Sequence, residues 1–177
     1  MKPQTLSSKP VFNGSIFDVR TDQIREGSLE YTRDIVVHKG SSVIVPVFDD
    51  GTVALVRQYR HAAGKFMLEV PAGSLETDED PLAGAIRELE EEVGVVAKKV
   101  ELLTEFYVSP GFLTEKMYVY LATSLTETAQ NLDGDEIIDI ERIPLAVAVE
   151  MSRDGRIEDA KSIIGLMMAG SKLGILP

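Results

Sequence analysis

Three glutamates, Glu88, Glu91 and Glu92, stand at positions i, i+3 and i+4. On a helix their carboxylates share one face. Like charges at that spacing repel, each pair costing an isolated helix roughly 0.2–0.5 kcal/mol. A hard divalent cation turns the repulsion into attraction, and all-oxygen ligands select Mg²⁺, Mn²⁺ or Ca²⁺ over softer metals. Arg87 lies beside the trio, and Glu79, near the start of the same segment, is a partner for it. The alternative is a solvated acidic face, which helical spacing alone does not exclude.

These side chains need a helix and something to hold it. Pro81 suits a first helical position, Leu82, Ala85, Ile86, Leu89 and Val93 recur at helical spacing, and Gly94 suits a stop. That apolar stripe is expected to pack against a sheet. Strands are expected at residues 15–20, 31–38, 42–48, 66–70, 100–108 and 116–122, from their β-branched and alternating character. Residues 52–59 read as the hairpin partner of 42–48, joined through Asp49-Asp50-Gly51. Another strand, 137–143, follows the turn Asp133-Gly134-Asp135, and 157–168 reads as a closing helix. Residues 1–13 contain Pro and Ser and are expected to be a loose arm. With no repeat and no dividing linker, the reading is one α+β domain, a mixed sheet flanked by helices.

Composition narrows the chemistry. The 177 residues contain no cysteine, which excludes disulfides, thiolate catalysis and cysteine-bound zinc. Two histidines, His38 and His61, are too few for a histidine-rich metal site. The net charge of −11 argues against nucleic-acid binding, which needs clustered Lys and Arg. No apolar run approaches the roughly 20 residues of a membrane span, and the first ten residues lack a signal-peptide core, so no membrane partner and a cytoplasmic location are expected.

The acidic helix belongs to a longer pattern. Gly73, five residues, Glu79, seven residues, then Arg87-Glu88-Leu89-Glu90-Glu91-Glu92-Val93-Gly94-Val95 resembles the Nudix box at every defining position. The resemblance implies a Nudix-type mixed β-sheet flanked by helices, an α/β/α sandwich, with the box forming a loop–helix–loop. It implies that Glu88, Glu91 and Glu92 bind Mg²⁺, with Mn²⁺ a possible substitute, and that Glu79 and Arg87 form a structural salt bridge. Ala72, before the box glycine, would offer a backbone carbonyl to a metal, Gly73 would permit the close approach, and Gly94 would end the helix.

Segments outside the box resemble the ADP-ribose pyrophosphatase branch of the family: residues 56–60 (VRQYR), 69–73 (EVPAG), 109–115 (SPGFLTE) and 155–161 (GRIEDAK). The branch implies hydrolysis of a nucleoside diphosphate sugar, ADP-ribose first, with GDP-mannose or a broad sugar range as the alternative. A Nudix-fold sensor that binds without hydrolysis is the alternative of another class. Arg60 would contact substrate, and Ser109, Pro110, Gly111 and Glu115 would line its ribose–phosphate end. Read on their residues alone, Arg57 and Arg60 are also ordinary surface charge, and Ser109-Pro110-Gly111 is also a plain turn. His61 and His38 are expected to be structural. The branch further implies a homodimer, with residues 1–40 as N-terminal arm and antiparallel strands that help dimerise, 41–177 as the core, and Arg33 reaching substrate. With so few histidines, the general base is expected to be a carboxylate on an acidic loop. Glu136 matches the branch's loop glutamate, as base or metal ligand, with Asp133 and Asp135 as alternatives.

Overall fold

The computed structural model describes residues 2–132 and 137–176. Its contacts gather into two units, Met1–Gly40 with Phe106–Met117, and Ser41–Glu105 with Tyr118–Pro177.

The first unit is built on a three-stranded antiparallel sheet, β1 (Gln4–Asn13), β2 (Asp18–Glu26) and β3 (Leu29–Val37), in that order. The expected loose arm is therefore a ten-residue strand, paired with β2 from Gln4↔Arg25 to Asn13↔Asp18. Irregularities near Thr5/Ser7 and Pro10/Phe12 accommodate the residues that made it look disordered; a proline lacks the ladder N–H and belongs on an edge. Both of the sheet's hairpins carry polar cross-strand contacts: Ser8 donates to Asp22 at 2.5 Å between β1 and β2, and between β2 and β3 Arg25 meets Glu30 at 2.6 Å and Thr21 donates to Asp34 at 2.6 Å. Gly27, at φ 62°, makes the tight turn between β2 and β3 that a side chain would strain.

The second unit holds two sheets. One runs β7 (Ala72–Ser74), β4 (Ser41–Pro46), β9 (Lys116–Glu127), β8 (Val95–Tyr107); the other runs β10 (Asp139–Pro144), β5 (Thr52–Arg60), β6 (Lys65–Glu69). The expected hairpin of 42–48 with 52–59 is corrected here. β4 and β5 lie in different sheets; a bridge at Val47↔Val53 and the Phe48 N–H donating to the Thr52 carbonyl at 2.8 Å join their ends. The Asp-Asp-Gly turn reverses the chain, but each strand then finds a longer partner elsewhere.

Every residue of β4 is buried, because helices cover both of its faces. Successive side chains on a strand point to opposite faces. Ile44 joins Ala85, Leu89, Val93, Val95 and Tyr120 in one core cluster. Val45 meets the other layer: a Cβ on Gly165 of α3 (Ala160–Lys172) would lie 3.0 Å from its methyl group. This is the α/β/α layering expected. α2 (Leu145–Arg153) was not anticipated from the sequence.

α1 (Pro81–Glu88) starts as its sequence requires, with Pro81 in the first turn and the Asp80 carboxylate accepting from the Leu82 and Ala83 amides. It continues as a π-helical turn over Leu89–Val93 and stops at Gly94, φ 68°, where a Cβ would crowd the Gln130 amide at 2.8 Å. The apolar stripe differs from expectation. Ala85, Leu89 and Val93 are in the core, but Leu82 and Ile86 are exposed. The buried face runs through Ala85, Glu88, Leu89, Glu92 and Val93, so two of the box carboxylates sit on it. Among the described residues no helix is long and apolar enough to cross a membrane.

Candidate metal and diphosphate site

β7 and the end of α1 come together at the box. Gly73 pairs with Ser42 on β4 and lies directly under the Glu88 carboxylate: a Cβ there would stand 1.9 Å from Glu88 Oε1. Glycine is required at this point by close approach, with no left-handed backbone involved. Glu92, 2% exposed, accepts the Ala72 N–H at 3.1 Å through Oε2. Glu88 is 8% exposed, and Glu91 is half-buried. The wider π turn, with its i→i+5 bonding, shifts the helical register the three glutamates would otherwise follow.

Arg87 organises the carboxylates around it. Its Nε and Nη2 donate to Glu79 at 3.0 and 3.3 Å, and its Nη1 donates to Glu88 at 2.7 Å and to Glu91 at 2.8 Å. The Glu79 hydrogen bond is the main reason the guanidinium is held well above its ordinary pKa; burial opposes it, and Glu88 and Glu91 add to it. The same bond draws the Glu79 carboxyl below its usual range. Glu79 also accepts the Glu76 N–H at 2.9 Å, closing the loop ahead of the helix.

Arg87 thus serves three carboxylates, Glu79, Glu88 and Glu91, and Glu92 lies nearly buried on the same helix face as Glu88. Buried anions call for compensating positive charge. Among the described residues no three such groups already close around a single point. The donor set itself, carboxylates and the backbone oxygens of β7, fits a hard divalent cation and offers nothing to a soft one.

A second charged cluster lies at the ends of β5 and β6. Arg60 binds Glu69 through Nε and Nη2, both at 2.7 Å, a bidentate fork. Glu69 is 1% exposed and also accepts Lys161 Nζ, which in turn reaches Asp159 at 3.0 Å. Burial drives the Glu69 carboxyl upward, but Arg60 and Lys161 together outweigh it and hold the group below the usual range. Arg60 is raised, first by its bond to Glu69, with Asp159 and Glu92 adding their fields. That influence of Glu92 puts Arg60 in the electrostatic neighbourhood of the box. Glu69, Asp159 and Lys161 were not singled out individually from the sequence, although all three lie in segments read as branch motifs. A charged residue ending a strand between apolar neighbours, Leu68 and Val70, was the available signal.

The other expected substrate residues lie in the first unit. Ser109-Pro110-Gly111 follows β8 as a turn closed by the Phe112 and Leu113 amides on the Ser109 carbonyl, at 3.2 and 2.9 Å. Glu115 is 3.9 Å from His38 Nδ1, the nitrogen that accepts the Gly40 N–H at 3.0 Å. Arg33 is exposed on β3, its guanidinium 4.4 Å from the Tyr31 ring centroid. Glu136, with Asp133 and Asp135, lies outside the described residues. The chain just ahead of it is tied to the box: Asn131 N–H donates to the Glu91 carbonyl at 3.1 Å, and Gln130 Nε2 to that of Glu92 at 2.7 Å.

An α/β/α fold that lays an acidic helix over a glycine-bearing strand, with a forked arginine nearby, defines a class of protein suited to a metal and a phosphate. The chain belongs to the NUDIX domain family, whose pattern matches residues 38–164. It is 34% identical over 165 residues to an ADP-ribose pyrophosphatase of Bacillus subtilis, covering 92% of this chain and 89% of that one. It is 38% identical over 168 residues to an ADP-ribose pyrophosphatase of Mycobacterium tuberculosis, covering 93% and 81%. A GDP-mannose pyrophosphatase of Yersinia pestis is 35% identical over 165 residues, covering 86% and 81%. Among solved structures, one described as an ADP compounds hydrolase superposes with a TM-score of 0.85 over 98% of this chain and 95% of its own, at 22% identity, which establishes the likeness of fold.

Proposed function

We propose that the chain hydrolyses the pyrophosphate bond of a nucleoside diphosphate sugar with the help of a divalent metal, Mg²⁺ first and Mn²⁺ as substitute. ADP-ribose is the first substrate to test, its products being AMP and ribose 5-phosphate. The observation that carries this is the pair of nearly buried box carboxylates, Glu88 and Glu92, seated on Ala72 and Gly73. Glu88, Glu91 and Glu92, with the Ala72 carbonyl, would hold the metal, which supplies charge neutralisation and a more acidic water. Arg60 would bind the diphosphate oxygens as charge builds on them. A P–O bond forms to water, the bridging P–O bond breaks, and the water's proton passes to a carboxylate. Glu136 is assigned that role, supported by the anchoring of Gln130 and Asn131 to the box. Glu136→Gln is expected to lower kcat strongly with KM little changed. Normal turnover there, together with loss in Asp133→Asn or Asp135→Asn, would move the role to that residue.

Residues 1–40 are assigned to a homodimer contact, with Arg33, Ser109, Pro110, Gly111 and Glu115 assigned to the sugar-phosphate end of the substrate. A cytoplasmic setting is part of the same reading. The test is a hydrolysis screen of nucleoside diphosphate sugars with Mg²⁺, Mn²⁺ or EDTA. Metal-dependent release of AMP from ADP-ribose is expected. Preference for GDP-mannose would favour the second reading, which the Yersinia relative motivates. Binding without turnover would overturn hydrolysis in favour of a sensor.

A further inference from the structure

Arg60 is half-buried at the end of β5 and is not free to choose its orientation. Both Nε and Nη2 are committed to Glu69, so one edge of the guanidinium is fixed and the donors on Nη1 are directed elsewhere. Glu69 is itself fixed. Its backbone pairs with Val56 on β5, and Val70, next in the chain, donates its N–H to the Ser162 hydroxyl at 2.8 Å. Ser162 donates to Asp159 at 2.5 Å, and Asp159 caps α3 by accepting the Ser162 N–H at 3.0 Å. Lys161, buried in the same turn, bonds both Glu69 and Asp159. Two cations and two anions therefore form one network from the start of α3 to the arginine.

The charge count explains why two cations are needed. A buried carboxylate with one arginine is balanced while that arginine has no other anion to serve. A diphosphate bound to the outer edge of Arg60 competes for the same positive charge. Lys161, shared between Glu69 and Asp159, gives Glu69 a second cation besides Arg60.

Resting on the reading of Arg60 as a diphosphate ligand, we propose that Glu69 and Lys161 are positioning residues. Glu69 sets the guanidinium orientation, and Lys161 keeps Glu69 serving Arg60 when substrate is bound. An arginine left to find its own rotamer would lose much of that freedom on binding, so the fixed fork raises affinity by preorganisation.

The effect of Lys161 on diphosphate binding must then run through Arg60, which a double-mutant cycle reads directly. The probe is ADP binding by titration calorimetry at saturating Mg²⁺, with KM and kcat for ADP-ribose alongside. Lys161→Met is expected to weaken ADP about tenfold and to raise KM similarly, with kcat within about threefold. Lys161→Arg should restore most of the loss. In an Arg60→Ala background the further change to Lys161→Met should shift the Kd less than twofold. A full tenfold loss persisting without Arg60 overturns the proposal and makes Lys161 only a support for α3. So does a Lys161→Met protein that binds ADP as wild type. If Lys161→Met fails to fold, Glu69→Gln takes its place in the same cycle, because an amide cannot accept the fork at both atoms. Wild-type protein that binds ADP but hydrolyses no nucleotide sugar would defeat the proposed function and leave the cycle interpretable. Protein that does neither overturns both.

Discussion

The two units stabilise themselves by opposite means. The second has β4 buried along its whole length between two helices, and a contiguous apolar cluster around Leu89. In the first, every residue of β1 is exposed and β2 and β3 carry little buried apolar surface; polar contacts across the strands, such as Thr21–Asp34 and Arg25–Glu30, are what it shows instead. A three-stranded sheet without a buried face is marginal by itself. Exposed ion pairs contribute roughly 0–1 kcal/mol each, against about 1.5–3 kcal/mol for one fully buried Leu. The unit that carries the box has a buried apolar core of its own, whereas the N-terminal sheet leaves Val11, Phe12 and Phe17 exposed.

That contrast is sharpest in the core. Leu89 is fully buried and lies in the π turn between the box glutamates. Leu89→Ala should cost about 2–5 kcal/mol by urea denaturation, from lost transfer energy and the cavity left behind. A cost under about 1 kcal/mol would mean that the box helix is not packed as described, and the comparison would fail at its stronger side.

Next in size is the box chemistry. Glu92→Gln keeps the side chain's shape and an oxygen for the Ala72 amide, so the melting temperature should move by only a few degrees. Turnover at limiting Mg²⁺ should nevertheless fall by at least about a hundredfold, as loss of a metal-linked electrostatic contribution implies. Wild-type turnover in the folded variant would remove this helix from the mechanism.

For the N-terminal sheet the expected effect is on assembly. Val11 is 62% exposed and Phe12 51% exposed, adjacent on β1. Surface substitutions of this kind ordinarily change the stability of a single chain by about 0.5 kcal/mol or less. If the sheet is the dimer contact, Val11→Asp or Phe12→Asp should convert a dimer to a folded monomer in analytical ultracentrifugation at micromolar concentration. Wild-type protein that sediments as a monomer with full activity would leave the exposed sheet without that role.

How much of this was legible beforehand divides along the same line. The box was readable because its spacing is rigid and its chemistry is unusual: Gly73, Glu79, Arg87, Glu88 and Gly94 each do something only their type can do. The buried strands were readable from β-branched alternation. What escaped was set by tertiary context. Pro10 and the serines of β1 look like a loop until β2 is there to pair with them. The Asp49–Gly51 turn looks like a hairpin, since nothing local says that β4 and β5 will prefer other partners. Leu82 and Ile86 follow helical spacing as well as Leu89 does, but the face that meets β4 is offset from them. The network around Glu69 escaped for the same reason, because Lys161 is 92 residues away in sequence.

The smallest expected effect calibrates the polar contacts that the first unit displays. Glu101 on β8 accepts from Lys172 at the end of α3 at 2.8 Å, and pairs with Lys99 at 2.5 Å, all at the surface of the second unit. The Lys172 hydrogen bond, then that of Lys99, draws its carboxyl from an ordinary 4.5 down to about 2. A carboxyl lowered on folding stabilises the native state when ionised, so its contribution is complete above about pH 4.5 and is lost as pH falls toward 2. Other carboxylates titrate in the same window, so the informative quantity is the difference between wild type and Glu101→Gln. Wild type should melt slightly higher at pH 6, by no more than a few degrees, and the gap should close between pH 4.5 and 2. Salt at about 1 M should shrink the gap at pH 6 as well, because exposed pairs are screened. A gap that survived both acid and salt would show that surface pairs on this chain are worth more than their exposure implies. The exposed Arg25–Glu30 pair of the N-terminal sheet would then be worth more as well.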